Sequence, residues 1–374
     1  MSDGAGLART YESAARRWEG IGPYYAMFPT QFGDDVVARY TRPGDIVLDP
    51  FAGRGTAIFS AAHQGRQGVG VEINPVGWIY AKAKIQPASK EAVIARLRAL
   101  NEMKGAYARE AESLPLFFEI CFARQVREFL AAARGNLDWM NSSVDRTTMA
   151  LLLVYLHGKR GAALSNQMRQ TKSMSPDYAI RWWRERDLTP PEVDPFAFMV
   201  KRLEWRYAKG LPKVIPSEVH LADSEVQLAV LRPEMAKRRK RVRLLLTSPP
   251  YFALTNYHYD QWLRLWLLGR PPTALRVPDD QGVRGKFENR ERYTQLLRGV
   301  FEDSARLMAT SGIVYVRTGL GLFTHETTLQ VLRSVFPRHR LTRVSRPYMR
   351  PTQTSLFGDA EKKVGEVDFI MTRA

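Results

Sequence analysis

Short apolar runs and helical stripes take turns along the first part of the chain. After the turn Arg42-Pro43-Gly44, the run Asp45-Ile46-Val47-Leu48-Asp49 is apolar without alternation, the pattern of a parallel strand buried on both faces. Gly53 and Gly55 break the run, and Ala57-Ile58-Phe59-Ser60-Ala61-Ala62 has helical character. A second strand, Gly68-Val69-Gly70-Val71-Glu72, follows at the spacing of a strand-helix-strand unit and again ends in an acid. From residue 89 to about residue 211 the pattern changes. Segments 91–103, 124–134 and 147–157 place apolar residues at helical spacing, with hardly any period-two alternation.

Strand patterns resume at residues 218–223 and 241–246, then at 312–316. Amphipathic helices are predicted at 293–308 and 328–336, and segments 340–344 and 367–371 suit a closing antiparallel pair. Roughly 150 residues lie between Glu72 and the next strand, where an ordinary crossover needs a few tens. The expectation is an α/β fold: a doubly wound, Rossmann-like sheet with a mainly helical insertion. Its parts are a first catalytic segment at 20–87, an insertion suited to target recognition at 88–213, and a second catalytic segment at 214–374.

The length of 374 residues and a hydrophobic share of 45% allow one such domain or two modest ones. No run of eighteen apolar residues occurs, so no membrane span is expected, and residues 1–18 do not read as a signal peptide. The single cysteine, Cys121, has no partner for a disulfide. With six histidines and no Cys/His cluster, no metal site is expected either. Cys121 lies among Phe117, Phe118, Ile120 and Phe122 and reads as a small buried hydrophobe in a protein of the reducing cytoplasm. A formal charge of +18 attracts polyanions, nucleic acid first among them. Solubility, or an acidic partner surface, is the plainer reading of the same charge.

Two motifs carry candidate chemistry. In Asp49-Pro50-Phe51-Ala52-Gly53-Arg54-Gly55-Thr56, Gly53 and Gly55 let the backbone approach a ligand, and Thr56 opens a helix whose free N–H groups favour an anion. Glu72, closing the next strand, suits a ribose diol. The second motif, Thr247-Ser248-Pro249-Pro250-Tyr251, follows an apolar strand. Two prolines cannot continue a central strand, so they fix a rigid turn at its carboxyl end, where open α/β sheets bind ligands. Ser248 offers a hydroxyl, the Pro249 carbonyl an acceptor, and Tyr251 a flat face for a base, with Phe252 as a further wall.

Together the motifs resemble the S-adenosylmethionine-dependent DNA amino-methyltransferase superfamily over residues 24–74 and 218–316. The resemblance implies S-adenosyl-L-methionine as cofactor. Phe28 and Thr30 would lie in the methionine-contacting segment with Pro29 and Phe32, alongside Asp49, Gly53, Gly55 and Thr56 of the cofactor loop. Phe51 would pack beside the cofactor, Glu72 would bind its ribose, and Asp223 would reach its adenine. Ser248, Pro249, Pro250 and Tyr251 would form the catalytic tetrad, with double-stranded DNA as partner and a flipped base as substrate. Serine at 248 resembles the cytosine-N4 subgroup; an adenine-N6 enzyme, an RNA guanosine-N2 enzyme and a non-catalytic DNA-binding relative are the alternatives. Restriction-modification, beside a cognate restriction endonuclease, is the setting implied. Members with a serine tetrad often carry it ahead of the cofactor loop, the reverse of the order here.

Further basic residues suggest where nucleic acid is held. In the insertion, Lys159, Arg160, Asn166, Gln167, Arg169 and Lys172 form a polar run whose side chains suit base edges and phosphates. Tyr257-His258-Tyr259 with Trp262, Arg264 and Trp266 mixes aromatic and basic residues and suits a nucleic-acid surface, while Trp262, Leu265 and Trp266 also have core spacing; residues 237–240 suit a phosphate or open solvent.

Overall fold

The computed structural model describes residues 11–23, 28–252, 257–274, 289–346 and 365–373. Among the described residues seven strands form one sheet: β1 (Ile46–Asp49), β2 (Gln67–Glu72), β3 (Glu218–Leu221), β4 (Val242–Thr247), β5 (Met308–Gly319), β6 (His339–Arg346) and β7 (Glu366–Arg373). Their order is β3-β2-β1-β4-β5-β7-β6. The first five pair in parallel, and β7 runs antiparallel between β5 and β6. This is the expected doubly wound, Rossmann-like sheet, and its β6–β7 pair matches the predicted closing strands.

The helices are α1 (Ala14–Glu19), α2 (Thr30–Tyr40), α3 (Thr56–His63), α4 (Pro75–Ile85), α5 (Lys90–Met103), α6 (Ala108–Glu112), α7 (Leu116–Cys121), α8 (Arg124–Asn136) and α9 (Ser143–Tyr155). They continue with α10 (Pro176–Arg184), α11 (Pro195–Tyr207), α12 (Ser224–Lys237), α13 (Tyr257–Asp260), α14 (Trp262–Leu267), α15 (Arg290–Leu307) and α16 (Leu322–Val335). Local chemistry sets several boundaries. Asn74, Ser89, Ser142 and Asp194 accept backbone N–H bonds as side-chain caps, and Pro75 and Pro195 stand in first turns where no N–H is missed.

Glycines on β2 allow close layering. A Cβ at Gly68 would lie 2.6 Å from Cγ2 of Ile58, so α3 rests directly on the strand. The insertion, α5 to α11, does not stand apart. Leu97, Phe117, Phe118, Phe129 and Leu152 share one apolar cluster with Ile58 of α3, Ile79 of α4 and Trp266 of α14. A second cluster, on α12, α15 and α16, covers the other side of the sheet.

Some boundaries differ from the pattern reading. Met308 begins β5 rather than ending a helix, because the chain turns extended there to join the sheet beside Val242. The third strand stops at Leu221, and Asp223 lies beyond it as the N-cap of α12. The last helix begins at Leu322 instead of 328; Leu322 is 73% exposed, which hides the helix start from a reading based on burial.

Candidate active site

Parallel strands β3, β2, β1 and β4 lie side by side, so their carboxyl ends form one edge. The register Leu48↔Leu245 brings the ends of β1 and β4 level. There Thr247 Oγ1 donates to Asp49 Oδ1 at 2.6 Å, joining the start of the glycine loop to the residue before the tetrad. Asp49 also accepts from the Phe51 N–H at 3.1 Å. Burial pushes its carboxyl up to about 7, against the pull of these two donors.

The glycine loop is held tightly from below. Gly53 and Gly55 take φ of 52° and 74°, left-handed conformations costly for other residues. At Gly55 a Cβ would lie 2.5 Å from that of Ala81 on α4. The Gly53 N–H donates to Glu72 Oε2 at 2.6 Å, and the Asn74 N–H to Oε1 at 2.8 Å. Glu72 thus closes the loop from the end of β2, and burial pushes its carboxyl up to about 7 as well. Each carboxylate oxygen keeps a further lone pair for a ligand hydroxyl. Phe51 is half-buried at the same edge.

Two loop residues serve the interior. Thr56 is buried, and its Oγ1 accepts from Arg54 Nε at 3.3 Å. The hydroxyl is therefore turned inward; the anion site read from the sequence lay on the helix's free N–H groups, not on this side chain. Arg54 continues to the carbonyls of Gly22 and Phe28, at 3.2 and 3.4 Å, and its own carbonyl accepts from buried Lys84 at 2.8 Å. Desolvation lowers Arg54 to about 10 and Lys84 well below its usual value. The pattern reading missed this strut, because a buried arginine between two glycines has no sequence signature.

Phe28 is buried with Val36, Val47 and Leu246, its ring 5.1 Å from that of Phe32. The side chain of Thr30 lies outside the described residues. Asp223, expected at a strand end, instead accepts from the Glu225 N–H at 2.9 Å as a helix cap, which is what a short acid just ahead of a helix does best. It remains half-exposed at the ligand edge, where Ser224 Oγ donates to the Pro50 carbonyl.

The tetrad leaves β4 at the same edge. Ser248 is half-buried and Pro249 buried. The Pro250 carbonyl accepts from Tyr293 Oη at 2.9 Å, and Tyr251 Oη donates to Glu366 Oε1 at 3.2 Å. Phe252, the further wall expected from the sequence, is half-buried beside Tyr251. Its ring packs 4.6 Å from Phe323 and 5.7 Å from Tyr293, within the second apolar cluster.

The insertion run divides sharply. Lys159 and Arg160 are exposed, and Arg169 is half-buried. Asn166 does not face outward: it is buried and donates to the carbonyls of Ile120 and Leu188, because its amide meets backbone acceptors that would otherwise be unpaired. Gln167 Oε1 accepts from the Arg160 N–H at 2.8 Å and shapes the turn. Lys172 is paired with buried Asp260 at 2.8 Å, a tie between insertion and tetrad segment rather than an open contact. Arg264, fully buried, donates to the carbonyls of Leu153 and Gln170 and deepens the same junction. Trp262, Leu265 and Trp266 are core. Residues 237–240 lie at the opposite edge, where Lys240 reaches Gln67 at the start of β2.

Cys121 is fully buried and its thiol pushed well up, so no thiolate is available. Among the described residues no His, Cys, Asp or Glu group forms a metal cluster, and no helix is long and apolar enough to cross a membrane.

Sheet order and glycine loop define the class: a doubly wound, Rossmann-like α/β fold with the glycine loop at the carboxyl ends of its parallel strands. Residues 8–78 match the family described as DNA methylase. Over 54 residues the chain is 44% identical to the Type II methyltransferase M.Cfr9I of Citrobacter freundii, covering 14% of this chain and 18% of that protein. Over 67 residues it is 34% identical to the Type II methyltransferase M.MjaII of Methanocaldococcus jannaschii, covering 18% and 13%. The matched stretch spans less than a fifth of these relatives' length. An rRNA methyltransferase, aviRa from Streptomyces viridochromogenes, aligns over 95% of this chain and 90% of its own at 13% identity, with a TM-score of 0.34. The family match over residues 8–78 includes the glycine loop 49–56 and Glu72.

Proposed function

We propose that this protein transfers a methyl group to the exocyclic amine of a base flipped out of double-stranded DNA, with cytosine N4 the preferred target. One observation supports the reading: the Asp49–Thr247 hydrogen bond ties the start of the glycine loop to the start of the tetrad on one edge of the sheet, so both motifs could serve one ligand site. The +18 charge suits a polyanionic substrate.

S-adenosylmethionine, when bound, supplies a methyl on a sulfonium sulfur. Glu72 would hold its ribose, Gly53 and Gly55 would admit its backbone-facing side, and Asp223 and Phe51 would flank its adenine. Ser248 Oγ and the Pro249 carbonyl would accept the two amino protons of the base. That pulls the nitrogen toward pyramidal geometry and frees its lone pair for in-line attack. Transfer would form the nitrogen–carbon bond as the methyl's bond to sulfur breaks, with the surplus amino proton passing to water. Positioning and electrostatics supply the acceleration, without a covalent enzyme intermediate. The inert thiol of Cys121 speaks against C5-cytosine chemistry, which needs a thiolate.

Ser248 favours cytosine N4 over adenine N6 through its likeness to the serine tetrads. The deciding experiment incubates the full chain with plasmid DNA and labelled S-adenosylmethionine, then identifies the modified nucleoside. N4-methylcytosine is expected. N6-methyladenine would replace the target base, and cofactor binding without DNA methylation would mark a non-catalytic relative.

A further inference from the structure

The tetrad has a neighbour on its far side that the motif reading did not include. Because β7 is antiparallel, its first residues stand beside the last residues of β5, with Glu366 paired to Gly319 and Asp368 to Arg317. Glu366 therefore reaches the edge at which Tyr251 leaves β4. The Tyr251 ring passes within 3.5 Å of the place a Cβ on Gly319 would occupy, and its hydroxyl donates to Glu366 Oε1.

Behind Glu366 lies a rigid base. Arg317 and Asp368 form a forked ion pair at 2.6 and 2.9 Å, both almost fully buried. Tyr315 Oη adds a bond to Asp368 Oδ2 at 2.8 Å. The Arg317 guanidinium stacks 3.5 Å over the Phe32 ring and stands 3.7 Å from Glu366 Oε2. Forked, buried and stacked, it has little freedom, so it fixes the carboxylate beside it.

We propose that Glu366, anchored by Arg317, is a positioning residue that sets the plane of the Tyr251 ring for the base stacked on it. The proposal rests on the methyl-transfer reading above. A Pro-Pro turn fixes the following tyrosine at its Cα and leaves the plane of the ring to the contacts of its side chain. A bond at the hydroxyl end is one such restraint, and stacking tolerates little tilt.

The test measures kcat, KM for DNA and cofactor affinity of the full chain for Glu366→Ala, Glu366→Gln, Tyr251→Phe and the Tyr251→Phe/Glu366→Ala double variant. Each of Glu366→Ala and Tyr251→Phe is expected to lower kcat about threefold to tenfold, the size of one lost side-chain hydrogen bond. The double variant falls no further, because both changes break the same link. Glu366→Gln keeps an acceptor oxygen and recovers most of the rate, and cofactor affinity stays unchanged throughout. Wild-type kcat in Glu366→Ala, or losses that multiply in the double variant, would overturn the proposal. Should the unmodified protein methylate no DNA, the functional reading fails by itself. The anchor is then read from thermal unfolding of the same four variants, where additive shifts overturn it and non-additive shifts uphold it.

Discussion

Asp49 and Thr247 are 198 residues apart in sequence and 2.6 Å apart in the fold, through a buried hydrogen bond from hydroxyl to carboxyl. It lies where two adjacent parallel strands end, so it locks the glycine loop to the Pro-Pro turn. Its removal tests whether the edge works as one unit. Thr247→Val keeps the shape, and the expected cost is about 1–3 kcal/mol of stability, read by denaturant unfolding. The folded Asp49 carboxyl, at about 7, lies above its unfolded value of about 3.9. Its contribution to stability is therefore complete below about pH 4 and lost as pH rises through about 7. Without the Thr247 donor the ionised form is held less well, so the deficit of Thr247→Val grows as pH rises past 7. An equal deficit at pH values well below and above 7 would refute that role.

Glu72 yields a pH dependence of ligand binding. Ribose hydroxyls donate best to a carboxylate, and burial holds this carboxyl at about 7 in the free protein. Affinity for S-adenosylmethionine should increase as pH rises from about 6 to about 8, followed by titration calorimetry. Glu72→Gln should flatten that rise and weaken binding about tenfold or more, since one amide oxygen replaces two acceptors for Gly53 and Asn74. A flat profile for the unchanged protein would remove Glu72 from the ribose contact.

Methyl transfer should depend on Tyr251 and Ser248 far more than cofactor binding does. Stacking of a base on an aromatic ring is worth about 1–3 kcal/mol, so Tyr251→Ala should lose about tenfold to a hundredfold in turnover. Ser248→Ala should lose about tenfold or more through the missing acceptor. Both are measured with labelled cofactor and DNA, alongside a cofactor titration that should show no change. Full turnover in either variant would end the role given to that residue.

The insertion makes two opposite predictions within one run of residues. Lys159→Ala and Arg160→Ala should weaken DNA binding and lower the slope of log affinity against log salt by about 0.9 for each phosphate no longer neutralised. Asn166→Ala should leave two backbone carbonyls without their donor and cost about 1–3 kcal/mol of stability. Salt titrations and thermal unfolding of the three variants separate these effects. An unchanged slope in both basic variants would move the DNA-binding surface elsewhere.

How much the pattern conveyed depended on how local the cause was. Ile46, Val47 and Leu48 announce a buried strand, two glycines announce a tight turn, and two prolines announce its rigid counterpart, because backbone sterics and burial act over a few residues. Those signals located β1, β2 and β4 and the glycine and Pro-Pro motifs at their ends. The insertion run looked uniform in sequence, yet Lys159 faces out while Asn166 faces in. Polarity alone does not say which amides meet buried carbonyls.

The sequence by itself determined the class of fold and the two motifs, since strand burial, glycine conformations and proline stiffness are properties of short segments. Only the tertiary structure decided that Asp223 caps a helix, that Arg54 turns into the interior, and that Arg317, Glu366 and Asp368 gather behind Tyr251. Those outcomes follow from strand order and from the reversed direction of β7, which bring distant residues to one edge, and no local pattern encodes such a meeting.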